Sequence, residues 1–244
     1  MVPGARSPSP IPQSEPVLAD FPREHVLEIR LNRPARRNAI DLSTVRALLA
    51  HVEAPGGRVV VISSSEPACF CAGADLGVDD AERAVVSDHL YELYGRIIEA
   101  PVPVLAALQG PAVGGGAQIA VAADMRIADA TASLRFVGPG HGLAVGAWAL
   151  GSLVGRSRAI DLCLSMRRVA AAEALALGLV DRVVPDARAA ALDLAEQIAS
   201  LDPGAVTRVK RIVRDGAGLL LSLRQERAGN RDWSGSVPPI PRDM

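Results

Sequence analysis

Two segments hold the residues whose types and spacing could do chemistry: Cys71-Ala72-Gly73-Ala74-Asp75-Leu76 and Gly110-Pro111-Ala112-Val113-Gly114-Gly115-Gly116-Ala117-Gln118. The second follows an apolar run, Val104 to Leu108, and leads into a buried helical pattern, so Gly114 to Gly116 open a helix. Glycines there let a ligand approach the main chain without side chains in the way. The first amides of a helix have no internal acceptor and sit at the positive end of its dipole. Donors so placed stabilise a developing oxyanion, each worth roughly 10²–10³ in rate at comparable sites. The first segment follows another apolar run, Val59 to Ile62, and its Ala74 amide could supply the second donor. Competing motifs fit worse. After Gly114-x-Gly116 the third glycine of a dinucleotide fingerprint is missing, and neither a phosphate-loop lysine motif nor a G-x-S-x-G elbow occurs.

The elements that must position these loops alternate. Val26 to Leu31 reads as a strand, Leu42 to Val52 as a helix capped by Asp41 or Ser43, and Val59 to Ile62 as a strand buried on both faces. Ala81 to Glu99 is a helix whose apolar side carries Val85, Leu90, Leu93, Ile97 and Ile98. Val104 to Leu108, Met125 to Ala128 and Ser133 to Phe136 are further strands. Beyond Gly155 the pattern turns helical over 157–164, 170–177, 186–201 and 203–217. This order predicts an α/β chain with mostly parallel strands and a helical C-terminal region. Three segments follow: a proline- and serine-rich leader over 1–20 expected to be disordered, a core over 21–190, and a helical region with an irregular tail over 191–244.

The composition narrows the partners. The chain has 244 residues, 49% of them hydrophobic, 3% aromatic, with a formal net charge of −1. That charge and the few aromatics argue against nucleic acid or an anionic membrane as partner. The longest apolar stretch, Val102 to Ala123, is interrupted by prolines, glycines and two glutamines, so no membrane span is expected. Cys69, Cys71 and Cys163 are odd in number and lack metal-ligand spacing, which points to reduced thiols, a cytoplasmic setting and no metal site. The N-terminal stretch has no apolar h-region of a secretory signal.

Five segments together resemble the enoyl-CoA hydratase/isomerase, or crotonase, family. They are Arg33-Pro34-Ala35-Arg36-Arg37-Asn38-Ala39-Ile40, Phe70 to Leu76, Gly110 to Gln118, Asp124-Met125-Arg126, and Ala172 to Asp181. They fall in the family's order over roughly residues 22 to 215. The resemblance implies a spiral of β-β-α turns with a helical C-terminal trimerisation region, assembled as a homotrimer or hexamer, with other acyl-CoA enzymes as candidate partners. It implies that the Ala74 and Gly115 N–H groups hold a thioester oxygen. It places Arg33, Arg36, Ala39, Ala72, Asp75, Leu76, Gly77 and Gly110 along the acyl-CoA site, with Arg33, Arg36 and Arg37 supplying charge for phosphates. Coenzyme A would enter as part of the ligand, with no separate cofactor.

Two residues depart from the family's pattern. A glutamate usually follows the second oxyanion glycine by three residues, and Gln118 stands there. A second glutamate usually follows a proline in an F-x-x-P-E segment, and Phe136-Val137-Gly138-Pro139-Gly140 puts Gly140 in its place. An amide moves no proton at neutral pH and glycine has no side chain, so hydration should be weak or lost. His141, beside Gly140, is the leading substitute base. Three readings follow: an acyl-CoA-binding member of fatty acid and acyl-CoA metabolism without hydratase activity; an isomerase, decarboxylase or thioester hydrolase using a base such as His141; and an oligomeric scaffold for acyl-CoA enzymes.

Overall fold

Runs of apolar residues with no polar alternation demand cover on both faces, and the computed structural model, which describes residues 15–236, provides it. The elements in chain order are β1 (Val17–Arg23), β2 (Val26–Leu31), α1 (Leu42–Glu53), β3 (Val59–Ser64), α2 (Asp80–Glu99), β4 (Val104–Leu108), β5 (Pro111–Val113), α3 (Gly115–Ala122), β6 (Met125–Ala128) and β7 (Ser133–Arg135). They continue with α4 (Ala147–Val154), α5 (Arg156–Ser165), β8 (Val169–Ala170), α6 (Ala171–Leu177), β9 (Arg182–Val183), α7 (Ala187–Ala199), α8 (Pro203–Ala217) and α9 (Leu219–Gly229). A six-stranded sheet runs β1-β2-β3-β4-β6-β9, and a three-stranded sheet runs β5-β7-β8. In the large sheet only the β1–β2 pair is antiparallel.

The chain climbs from the large sheet to the small one twice, from β4 to β5 and from β6 to β7. Gly110 makes the first corner. Its φ is +69°, and a Cβ there would lie 2.5 Å from the Ala68 carbonyl oxygen, so only glycine fits. One apolar core lies between the sheets and α1 to α4. A second, built from Val59, Val61, Leu105, Ile127, Ala191 and Ala195 among others, lies between α7 and the outer face of the large sheet.

Several expectations need correcting. Residues 17–20, placed in the leader, belong to β1. This edge strand is held by its antiparallel pairing with β2, and Arg30 of β2 bonds Asp20 across the pair at 2.8 and 2.9 Å. The rest of the leader, 1–14, and the end of the tail, 237–244, lie outside the described residues. Val85 is 43% exposed and its neighbour Val86 is buried. One residue turns a helix by about 100°, and Val86 shares a face with Leu90, Leu93 and Ile97. The boundary expected after residue 190 falls inside α7. The strands β5, β8 and β9 and the helices α4 and α9 were not anticipated.

The two missed helices explain each other. α4 starts at Gly146 with no side-chain cap of its own. Glu226 of α9 fills that role from across the fold: Oε1 accepts from the Gly146 N–H at 3.2 Å and Oε2 from the Trp148 N–H at 3.0 Å. Oε1 also accepts from the Tyr91 hydroxyl of α2 at 2.9 Å. Burial outweighs these donors and raises the Glu226 carboxyl from 4.5 to about 7. A carboxyl that binds its proton more tightly when folded gives stability that is fully present below 4.5 and lost as pH rises through about 7. Thermal melts should therefore show stability falling by up to about 3 kcal/mol across that window. Glu226→Gln should flatten the profile; an unchanged slope would show that another group sets it.

Candidate functional site

The two loops singled out by their residue types meet main chain to main chain. Cys71 bridges Ala112, with Val113 N–H donating to the Cys71 carbonyl at 2.9 Å and Cys71 N–H to the Pro111 carbonyl at 3.1 Å. Gly116 sits directly on Cys71: a Cβ there would lie 2.5 Å from the Cys71 carbonyl oxygen and 2.9 Å from its Sγ. Gly73 has φ +96°, and a Cβ on it would lie 2.9 Å from the Val113 carbonyl oxygen and 3.5 Å from the Gly115 nitrogen. A Cβ on Gly115 would lie 3.8 Å from the Ala74 nitrogen. The amides of Ala74 and Gly115 are thus neighbours, brought together because no side chain intervenes.

Both amides are free to serve a ligand. The bridge between Ile40 and Ala74 uses the Gly73 carbonyl and the Asp75 N–H, which leaves the Ala74 N–H unused. Gly115 is the first residue of α3, where an amide has no intrahelical acceptor. Among the described residues neither N–H has an acceptor.

They open on a cavity of about 450 Å³, within the range of roughly 300–1,000 Å³ of small-molecule sites. Its walls are mostly apolar: Ala72, Leu76, Leu90, Val113, Val137, Leu143 and Val145. Tyr91, Tyr94, Gln118, His141, Arg83, Arg135, Ser87 and Trp233 add polar atoms. Among the described residues no aspartate or glutamate lines it. Of the two arginines in the lining, Arg83 pairs with Asp80 and Arg135 donates to the Met166 carbonyl at 2.6 Å, and the N-terminus of α3 brings the positive end of its dipole to the same wall.

Gln118 is buried, and both its oxygen and its nitrogen have partners. Its Oε1 accepts from the Gly146 N–H at 3.0 Å and the Trp148 indole N–H at 2.9 Å, and its Nε2 donates to the Tyr94 hydroxyl at 3.4 Å. Gly140 lies in a 3-10 turn over Pro139–His141 and is not among the lining residues, although Gly138 and His141 on either side are. His141 reaches the cavity, and its Nδ1 is buried without a partner. Burial, and then the nearby Arg83 charge, lower its pKa below 6.5, so the ring is neutral at neutral pH.

The remaining expected residues separate into two groups. Ala72, Ala74, Leu76, Gly115, Gln118 and His141 line the cavity. Arg33, Ala39 and Asp75 form a clamp behind it. Arg33 pairs with Asp41 at 2.9 Å and Asp75 at 3.1 Å, and donates to the Ala39 carbonyl, while Asp75 accepts from the Gly77 N–H at 2.9 Å. Gly110 serves the corner between the sheets. Arg36 and Arg37 are exposed, and neither is among the lining residues.

One residue that organises the site was not singled out. Asn38 is buried, with φ +55°. Its side chain donates to Ser64 Oγ at 2.7 Å and to the Cys69 and Phe70 carbonyls at 3.1 Å each, and accepts from the Arg33 N–H at 2.8 Å. The signal in the sequence was its type: asparagine adopts left-handed backbone more readily than other residues with a side chain.

The chain thus joins two sheets by β-β-α turns and sets two neighbouring main-chain amides at the wall of a mostly apolar cavity. The family model described as enoyl-CoA hydratase/isomerase matches residues 22–236. A protein of Mycobacterium tuberculosis named a probable enoyl-CoA hydratase, echA6, is 38% identical over 204 residues, covering 80% of this chain and 82% of that one. Among solved structures, an enoyl-CoA hydratase from Bacillus anthracis aligns with a TM-score of 0.78 at 31% identity, covering 88% of this chain and 90% of that one. A monofunctional enoyl-CoA isomerase from M. smegmatis aligns with a TM-score of 0.74 at 28% identity, covering 87% and 99%. The chain belongs to the enoyl-CoA hydratase/isomerase family and has its α/β crotonase-like fold.

Asn38→Ala should be the most damaging small change to this site. It strands the part-buried Arg33 N–H and the Phe70 carbonyl and leaves the Cys69 carbonyl with Ser64 alone; at about 1–3 kcal/mol for each stranded group, a loss of about 3 kcal/mol is expected in denaturant melts. A loss below about 1 kcal/mol, the range of ordinary substitutions, would mean that water replaces the side chain.

Proposed function

We propose that this chain binds acyl-CoA thioesters and polarises their carbonyl, but does not hydrate enoyl groups at a useful rate. The observation that carries the reading is the pairing of two free amides with a cavity whose described walls hold no carboxylate. Water addition needs a base for the water and an acid for the α-carbon. A positioned acid or base is worth roughly 10²–10⁴ in rate, and the positions of both are taken by Gln118 and Gly140. The Gln118 amide is already committed to Gly146, Trp148 and Tyr94, which supports a packing role for it.

In this reading the acyl oxygen accepts from the Ala74 and Gly115 N–H groups, the acyl chain fills the apolar cavity, and the exposed Arg36 and Arg37 meet the phosphates of coenzyme A. Arg33 acts at one remove, holding Asp75 and the Ala39 carbonyl in place. The chain works in the cytoplasm in acyl-CoA metabolism, as a carrier or partner of other acyl-CoA enzymes. It assembles as a homotrimer or hexamer through α8, whose Val209, Ile212 and Val213 are each more than 60% exposed. Bare apolar surface of that kind suits burial against another copy.

Calorimetry with saturated acyl-CoAs should give saturable binding. Turnover of crotonyl-CoA should lie roughly 10⁴-fold or more below that of a hydratase with both glutamates. Gly115→Pro removes one donor at the first helical position, where proline is tolerated. It should weaken acyl-CoA binding by at least about tenfold, the worth of one hydrogen bond; because a Cβ there would lie 3.0 Å from Leu90 Cδ1, a thermal melt recorded beside the binding separates a lost donor from a lost fold. Absence of binding to any acyl-CoA would sink the reading, as would ordinary hydratase turnover.

A second reading rests on His141, whose ring lines the same cavity with Nδ1 unpartnered. As the base of an isomerase, decarboxylase or thioester hydrolase it would accept a proton at that cavity wall. Its depressed basicity and the Arg83 charge work against that step. If a panel of acyl-CoAs reveals any turnover, His141→Ala should reduce it by at least about a hundredfold; undiminished turnover would exclude His141.

A further inference from the structure

The chain does not leave the site after α9. Asn230 ends that helix, and its Nδ2 donates to the Tyr91 hydroxyl and the Ala144 carbonyl at 2.7 Å each, while its Oδ1 accepts from the Ala144 N–H at 3.0 Å. Trp233 N–H then closes a turn on the Asn230 carbonyl at 3.1 Å. Two residues on, the Gly235 carbonyl accepts from Arg83 Nε at 3.0 Å. Gly235 has φ +84° and lies so close to the Asp80 carbonyl that no side chain would fit. The segment 230–235 is thus fastened at both ends to α2 and the 144–146 loop, and its indole is held as a wall rather than a loose flap.

That wall stands between two cavities. On one side is the apolar cavity of about 450 Å³ that holds the two amides. On the other is a polar groove of about 500 Å³ flanked by Arg224, Arg231 and the Arg227–Asp88 ion pair, closed at 2.7 Å. Trp233, Ser87 and Tyr91 line both. Tyr91 is fixed by Glu226 and Asn230, and Ser87 is small, so the indole is the bulk that separates apolar space from polar space. Its Nε1 is buried without a partner among the described residues. An unpartnered buried donor is a cost that stability alone would not select.

We propose that Trp233 is the end-stop of the acyl pocket and sets the longest acyl chain it accepts. This inference rests on the acyl-CoA reading above. A chain growing from the thioester gains apolar burial until its terminal methyl meets the indole. Each added methylene should tighten binding about fourfold. Beyond the stop, further methylenes must displace the fastened segment or enter the polar groove, and binding should stop improving.

The test is calorimetry of the full chain with saturated acyl-CoAs from butanoyl to hexadecanoyl. Native protein should give a rising series with a break. Trp233→Ala should move the break to longer chains, with the shortest acyl-CoAs the least affected. Trp233→Phe should leave the break close to its native position. Ser87→Phe, on α2 and outside the fastened segment, should move the break to shorter chains, which guards against a tail that simply comes loose. A break at the same length in native, Trp233→Ala and Ser87→Phe proteins would overturn the inference and leave acyl-CoA binding intact. A series that rises without a break in native protein would do the same. Binding of no acyl-CoA by native protein would overturn both readings together.

Discussion

The contact on which the rest depends is backbone against backbone, between residues 71–74 and 113–116. Gly116 rests on Cys71 and Gly73 on Val113 at separations that exclude a Cβ. This closeness lets a loop from the large sheet and a helix start from the small sheet present neighbouring amides. The two sheets exist to hold these two chain segments in register. The Cys71–Ala112 bridge joins the loop after β3 to β5, and Gly110 makes the corner that carries the chain from β4 to β5. Asn38 and the Arg33 clamp then fix the outer side of the first loop, so its left-handed residues Arg37 and Asn38 are held by side-chain hydrogen bonds rather than by propensity.

The second constraint is at the junction of α2, α3, α4 and α9. A single N–H, that of Gly146, is shared by Gln118 of α3 at 3.0 Å and Glu226 of α9 at 3.2 Å. Around it the Tyr94 and Trp148 rings stack at 6.1 Å and Tyr91 meets Tyr94 edge-on at 5.7 Å. Four helices far apart in the chain thus close the inner end of the cavity through one polar knot. Its members bury their polar atoms in mutual hydrogen bonds, which is the condition for such a knot to stabilise rather than strain a core.

The legible parts of the chain were those whose signals are local. The buried runs at 59–62 and 104–108 and the glycines at 114–116 could only be strands and a helix start, and α8 over 203–217 was delimited by Pro203 and its Asp202 cap. Illegible were the elements whose partners are remote. β1 is an edge strand with Pro22 in it and almost no apolar alternation, so its signal is the pairing with β2. α4 is capped by a residue of α9, and no window around Gly146 contains that information. Trp233 lies in a tail whose prolines and glycines read as irregular. It is irregular, and only the fold shows that it returns to the cavity. Arg33 illustrates a subtler failure: its type suited a phosphate, but Asp41 and Asp75 neutralise it.

The same junction gives a physical reason for an amide at position 118. A carboxylate there would share the Gly146 N–H with Glu226 and place two acceptors of like charge around one donor. Like charges in a buried setting cannot both ionise readily, and Glu226 is already pushed up to about 7 by burial alone. A carboxamide avoids this conflict. Its oxygen keeps both N–H donors, from Gly146 and the Trp148 indole, and its nitrogen turns to the Tyr94 hydroxyl, a bond that a carboxylate could make only by accepting. The residue that caps α4 and a carboxylate at position 118 would thus compete for one position in the network, and Glu226 and Gln118 satisfy it as an anchor and a neutral partner.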